Sequence, residues 1–166
     1  MNRRNMLFGG ASVAAIGALA LALRPGSMSA IADDTKYEVT LSDAEWQKKL
    51  SPEAYNVLRQ QGTEAPGTSP LLKEHRVGIF SCAGCDLPNF DSKTKFESGT
   101  GWPSFYQPLP NAVVKSVDNS LGMTRDEIHC RRCGGHLGHV FDDGPQPTGL
   151  RYCMNGVALK FTPAAT

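Results

Sequence analysis

The residues able to do chemistry in this chain are five cysteines, two closely spaced histidines and a loop built around tryptophan. Cys82-Ala83-Gly84-Cys85 and Cys130-Arg131-Arg132-Cys133 are two C-x-x-C pairs with 44 residues between them. Each pair sets two sulfurs on one tight turn, and four thiolates suit a tetrahedral structural zinc ion, one per chain. Gly84 and Gly134-Gly135 give the backbone the freedom those turns need. The gap is longer than that of a compact zinc ribbon, so the two knuckles should clamp separate parts of the fold. Two other uses of these cysteines stay open: disulfides, for which four cysteines allow three connectivities, and a redox pair at one of the motifs.

Cys153 is the odd cysteine and has no C-x-x-C partner. A lone cysteine is commonly a small buried hydrophobe. Its setting, Arg151-Tyr152-Cys153-Met154-Asn155, points elsewhere: in a strand, 151, 153 and 155 share a face. A cation beside a thiol lowers its pKa, and the thiolate is the nucleophilic form. His136 and His139 lie in Gly135-His136-Leu137-Gly138-His139. Core residues or metal ligands are two readings of that pair. With four cysteines already serving one ion, imidazoles are more useful as proton donors near neutral pH. Asp142 and Asp143 follow and could orient a ring or a water. His75 and His129 lack such company and read as structural or surface residues. In Gly99-Thr100-Gly101-Trp102-Pro103-Ser104-Phe105, Trp102 and Phe105 are either core or an aromatic wall for an apolar or methyl-bearing ligand.

These groups need a scaffold. The 166 residues suffice for one domain, and a net charge of +1 carries no basic arm or acidic tail. Residues 1–32 hold Arg3, Arg4 and Arg24, no acid, an uncharged stretch from Met6 to Leu23, and Ala30-Ile31-Ala32 at the end. That is the pattern of a cleaved export signal, with Arg3-Arg4 resembling a twin-arginine type, and places residues 33–166 in the periplasm. An uncleaved membrane anchor is the alternative. Removing the segment leaves fourteen basic against sixteen acidic residues, a balance that argues against binding nucleic acid. In the remaining chain Ser42-Asp43-Ala44-Glu45 is a capping box opening a helix with Trp46 and Leu50. Ser51-Pro52-Glu53 starts a second helix, for which Gly62 is a natural stop. From residue 76, short Val/Ile/Phe/Tyr runs between Gly, Pro, Asp and Asn predict strands near 77–81, 112–117, 121–129, 136–141, 149–154 and 157–161. Asp142-Asp143-Gly144-Pro145 marks a turn between two of them. The expectation is a single mainly β (α+β) domain: short N-terminal helices, then antiparallel sheet.

Taken together, Gly62 to Pro66, Phe80 to Cys85, Thr94 to Phe105, Cys130 to Phe141 and Thr148 to Asn155 resemble the B-type methionine-R-sulfoxide reductases over roughly residues 40–162. The resemblance implies two packed antiparallel β-sheets and a four-cysteine zinc site at Cys82, Cys85, Cys130 and Cys133. It implies reduction of the R epimer of methionine sulfoxide, free or in proteins, a repair of the oxidation ladder. Cys153 matches the catalytic nucleophile, and Trp102 the tryptophan that packs on the substrate's methyl group. His136 and His139 match the paired active-site histidines. Asp143, Arg151 and Asn155 match positions on the polar side of the pocket. Thr100 stands where many relatives carry a resolving cysteine. The Cys153 sulfenic acid must then be reduced by an external donor, a thioredoxin-like protein or a small thiol. A monomer is expected. Two other classes remain as alternatives: a non-catalytic zinc module binding a protein or nucleic acid, and an exported disulfide-bonded domain without activity.

Overall fold

The computed structural model describes residues 37–165; the export-signal reading of residues 1–32 lies outside them. Ser42 opens α1 (Asp43–Lys49): its hydroxyl accepts the Glu45 amide, and the Glu45 carboxylate returns to the Ser42 amide at 2.8 Å. The expected capping box is therefore formed, and two backbone donors that a helix start leaves orphaned are satisfied. Ser51 caps α2 (Pro52–Gln60) with its hydroxyl alone, which accepts the Ala54 amide at 3.2 Å, and Pro52 sits in the first turn. The chain leaves α2 through Gln61 at φ 54°, not through Gly62. A Cβ at Gly62 would stand 2.2 Å from the Asn56 side-chain amide, which would have to move aside. Trp46 is the buried residue of α1 and carries the Arg59 guanidinium of α2 over its ring at 5.0 Å. No helix among the described residues is long and apolar enough to cross a membrane.

The rest is antiparallel sheet, in two layers. β1 (Gly78–Cys82) lies between β2 (Pro88–Asp91) and β9 (Leu159–Pro163) in a three-stranded sheet. The larger sheet runs β3 (Lys95–Phe96), β4 (Ser104–Phe105), β8 (Arg151–Met154), β7 (His136–Phe141), β6 (Arg125–Cys130), β5 (Val113–Asp118). The layers meet through aromatic rings: Phe90 of β2 stacks on Phe105 of β4 at 4.4 Å between centroids, and Phe80 of β1 meets Phe105 edge-on at 5.0 Å. All three are fully buried, and each contributes about 2–3 kcal/mol by leaving water. Ile128, Val140 and Met154 extend this core along the larger sheet.

Three strands escape the sequence pattern. β3 and β4 have two residues each, too few for an alternation, and β2 opens on Pro88, which fits an edge strand. The strand expected over 121–129 begins only at Arg125, because Leu121 and Gly122 turn through positive φ (57° and 70°).

Candidate active site and metal centre

Strand register gathers the reactive residues. Ser104, Cys153, His139, Glu127 and Ser116 are successive cross-strand partners over β4, β8, β7, β6 and β5. Directly opposed residues point to one face, so these five form one polar row across the sheet. Phe141–Arg151 and Asp118–Arg125 make a flanking row. The opposite face carries Ile128, Val140, Met154 and Phe105, which are buried. His136 and His139 are three apart and would face opposite ways in a regular strand. The β6–β7 register shifts so that Ile128 opposes Gly138 while His129 opposes His136. Leu137 is the extra residue of this bulge, and bulges re-aim side chains. The two rings end 5.4 Å apart, edge to face.

Cys153, His139, Trp102 and Asn155 line one cleft of about 130 Å³, with Thr63, Arg125 and Phe141. Gly138 lies at its floor, where β7 and β8 come so close that a Cβ would stand 2.1 Å from the Cys153 carbonyl oxygen. Trp102 is fixed by its indole N–H, which donates to the Glu64 carbonyl at 3.0 Å. The Glu64 carboxylate accepts the Gly156 and Val157 amides, at 2.5 and 3.1 Å. The Glu64 amide donates to Asn155 Oδ1 at 3.0 Å, and Asn155 Nδ2 donates to the Leu137 carbonyl at 3.2 Å. The Asn155 amide thus ties the Thr63–Glu64 segment to β7. Asn155 lies one residue beyond β8 but still reaches the cleft.

Around the thiol, the Thr100 hydroxyl stands 3.9 Å from the Cys153 sulfur. Arg151 is gripped by Asp143, Nε and Nη2 each donating to a carboxylate oxygen at 2.8 Å, and its guanidinium lies 4.5 Å from the Phe141 ring centre. Burial pushes the Cys153 thiol above its ordinary range; Thr100 and Arg151 pull it down without overcoming that. The expected lowering by the cation is thus present, but burial outweighs it. Burial likewise holds His139 below the ordinary imidazole value, with the charges of Arg125 and His136 adding to it and Asp118 opposing. The resting pair is a thiol beside a neutral imidazole.

Several residues stand elsewhere than the sequence suggests. Phe105 belongs to the core between Phe80 and Phe90 and is no wall of the cleft, because on β4 it alternates with Ser104, the neighbour of Cys153. Asp143 is exposed at 59% and is bonded to the site through Arg151. His136 lies behind His139, at a second cleft beside α2 shared with Arg59 and His129. Its Nδ1 is bonded to Glu127, while its Nε2 is buried without a partner among the described residues. His129 has company after all: its Nε2 stands 3.1 Å from Glu127 and 3.0 Å from the Ser116 hydroxyl. Burial pushes the Glu127 carboxyl up, but its bonds to His129 and His136 prevail and hold it at about 2. His75 is exposed. Asp118, Arg125 and Glu127 drew no notice in the sequence, and Glu64 entered only as part of the Gly62 to Pro66 stretch. The readable signal for the first two was the turn at Asn119-Ser120 between two predicted strands, which sets Asp118 opposite Arg125.

The four remaining cysteines cap two hairpins, one from each sheet. The Cys82 and Cys130 amides donate to the carbonyls of Leu87 and Gly135, and the Asp86 and Gly134 amides return to the Cys82 and Cys130 carbonyls. The left-handed residues are Asp86 (φ 60°) and Gly134 (φ 67°), so Gly84 is not the pivot of the first knuckle. The sulfurs stand 3.7 Å (Cys82–Cys133) and 3.5 Å (Cys85–Cys130) apart, all four within 4.8 Å. Tetrahedral thiolates on zinc at 2.3 Å are about 3.8 Å from one another, whereas a disulfide needs about 2.05 Å. All five cysteines are free thiols. The four-sulfur cluster fits a metal ion that joins the two sheets.

Comparison with known proteins gives a match to the SelR domain over residues 50–163. A peptide methionine sulfoxide reductase MsrB of Leptospira interrogans is 58% identical over 126 residues, 75% of this chain and 96% of that protein. Proteins with the same description from Agrobacterium fabrum (52% over 134 residues, 80% and 99% covered) and Methanosarcina mazei (52% over 126 residues, 75% and 90% covered) are also similar.

Proposed function

The chain belongs to the SelR domain family and is a methionine sulfoxide reductase; on that premise we propose that it reduces the R epimer, in proteins or as the free amino acid, through a Cys153 sulfenic acid. The carrying observation is the convergence of Cys153, His139 and Trp102 on one cleft. The Cys153 proton passes to neutral His139, and the thiolate attacks the electrophilic sulfoxide sulfur. His139 returns the proton to the sulfoxide oxygen as the S–O bond breaks. The break leaves Cys153 joined to the methionine sulfur as a sulfonium and frees hydroxide, which attacks the Cys153 sulfur; the S–S bond breaks, methionine leaves and Cys153 becomes a sulfenic acid, so the thiol has been oxidised by two electrons and the sulfoxide reduced by two. Trp102 holds the methyl group and selects the epimer by position. Arg151, oriented by Asp143, and Asn155 form the polar side, and His136 supports His139 from behind.

Cys82, Cys85, Cys130 and Cys133 hold a structural zinc, which cross-links the two sheets and takes no part in the reaction. Thr100 offers no second thiol. The sulfenic acid is therefore reduced by two external thiols, the first forming a mixed disulfide and water, the second displacing it; a thioredoxin-like protein or a small thiol serves. With residues 1–32 as a cleaved twin-arginine-like signal, the domain of residues 33–166 works as a monomer on exported proteins in the periplasm. N-terminal sequencing of the exported protein should begin at Asp33; a start at residue 1 or 2 overturns that part.

The test of the reaction gives stereochemically pure R and S methionine sulfoxide peptides, with dithiothreitol, to the chain and to Cys153→Ser. Reduction of R alone, lost in the variant, is expected. Reduction by the variant refutes the nucleophile. Reduction of neither epimer by folded, metal-loaded protein brings forward a binding role for the zinc module.

A further inference from the structure

We propose that Asp118 is a positioning residue for this reaction: it takes the Nε2–H of His139, leaves Nδ1 as the basic nitrogen, and is itself held by Arg125. The proposal rests on the reading of His139 as proton carrier. Oδ2 of Asp118 lies 2.9 Å from His139 Nε2 and 2.6 Å from Arg125 Nη2, and its Oδ1 accepts the Ser120 amide at 2.8 Å. Both the His139 and Asp118 side chains are 13% exposed. The arrangement follows from register: Asp118 and Arg125 close the β5–β6 hairpin, two residues along from the Ser116–Glu127 pair that leads to His139.

The amide of Ser120, its side chain, His139 and Arg125 hold Asp118 well below the carboxylate range. An ionised carboxylate can only accept, so the nitrogen facing it carries the hydrogen and the other is bare. A lone aspartate would also make the imidazole more basic and trap the proton taken from Cys153. Arg125 offsets that charge. The groups around the ring are Asp118 of β5, Arg125 and Glu127 of β6, His136 of β7, and Cys153 and Arg151 of β8. Asp118 raises His139 and Arg125 lowers it. The pair fixes which nitrogen acts while leaving the ring neutral and able to cycle.

The test is made on the full chain, with sulfenic acid formation followed in single turnovers over pH. Asp118→Asn should lower the rate about 10²-fold at unchanged KM, the low end for a general acid–base group. It should also move the acid limb to lower pH. Arg125→Met should move that limb to higher pH. Nitrogen-15 spectra of the wild-type histidines should show His139 with its hydrogen on Nε2, and a mixture of tautomers in Asp118→Asn. Limbs moving the same way, an undiminished rate in folded Asp118→Asn, or a wild-type hydrogen on Nδ1 each overturn the proposal. If a variant fails to fold, the wild-type tautomer decides. If the wild type reduces no sulfoxide, the functional reading fails, while the spectra still report whether Asp118 holds the ring.

Discussion

Four cysteines of this chain stand at the tips of two hairpins within 4.8 Å of one another, and the fifth, Cys153, lies on β8 outside that cluster. The side chain is the same; the surroundings differ in kind. In the cluster, backbone amides and carbonyls lock each knuckle, and the two knuckles belong to different sheets. Such sulfurs meet one another, and a metal ion held among them would cross-link the two sheets. Around Cys153 the neighbours are a hydroxyl, a guanidinium and an imidazole, and a cleft opens beside it. Burial raises its pKa, so the proposed mechanism needs a base to remove its proton. In the proposed reaction, local backbone geometry prepares Cys82, Cys85, Cys130 and Cys133 as ligands, whereas cross-strand company and access prepare Cys153 as a nucleophile.

Exchanging one cysteine from each region is the strongest way to break that contrast. Cys153→Ser should cost at least about 10⁴-fold in turnover, with metal content and melting temperature unmoved. Cys130→Ser, or strong chelation of the wild type, should lower the melting temperature by about 10 °C or more, since a metal's binding energy is folding energy. Activity should then fall only as the folded fraction falls. Calorimetry, metal analysis and turnover on the same samples separate the two. A Cys153→Ser protein that loses its metal, or a chelated protein with its melting temperature intact, would dissolve the distinction.

Trp102→Ala comes next in size. The indole is anchored to the Glu64 carbonyl at 3.0 Å, and Glu64 is anchored to two backbone amides. Removing the ring widens the cleft without touching the thiol. A loss of about 10²-fold in kcat/KM is expected, the scale of misplacing a substrate by an ångström. Discrimination between R and S sulfoxides should shrink with it. Equal losses for both epimers would leave Trp102 a merely structural ring.

What could be read without coordinates divides along the same line. The two knuckles, the Ser42 capping box and the proline start of α2 are local patterns, and each formed. Cys153, His139 and Trp102 were legible as separate motifs, but their meeting on one cleft depends on strand register. Asp118 and Glu64 stayed hidden because each matters through a partner 21 to 38 residues away. Phe105 was misplaced because β4 is too short to show which of its residues faces inward. The direction of the Cys153 pKa was misjudged for another reason: Arg151 is visible in the sequence, whereas the burial that outweighs it is made by the packed sheet.

Thr100→Cys sharpens the contrast by giving Cys153 a sulfur neighbour. The Thr100 hydroxyl is 3.9 Å from the Cys153 sulfur, so a cysteine there should trap the sulfenic acid. After one equivalent of substrate, mass spectrometry should show a 100–153 disulfide in the variant and a dimedone-reactive Cys153 in the wild type. The first chemical step should change less than about tenfold, because no group that touches the substrate in the proposed mechanism is lost. A Cys153 sulfenic acid equally trappable in both proteins would show that the two side chains cannot meet.

The smallest expected effect is that of Asp143→Ala. Its carboxylate is mostly in solvent, and an exposed ion pair is worth about 1 kcal/mol or less. The Phe141 ring, 4.5 Å from the Arg151 guanidinium, should keep it seated when Asp143 is gone. The charge of Asp143 also raises the Cys153 thiol, so its loss slightly favours the thiolate while loosening the cation beside it. These effects oppose each other, and turnover should change by less than about fivefold. Arg151→Ala should do more, since it removes the cation that pulls the thiol down: the alkylation rate of Cys153, followed against pH, should shift to higher pH. The same profile in Asp143→Ala should stay in place or shift slightly lower. If Asp143→Ala shifts it upward as far as Arg151→Ala does, the guanidinium acts only when clamped, and the polar side of the cleft is a two-residue device.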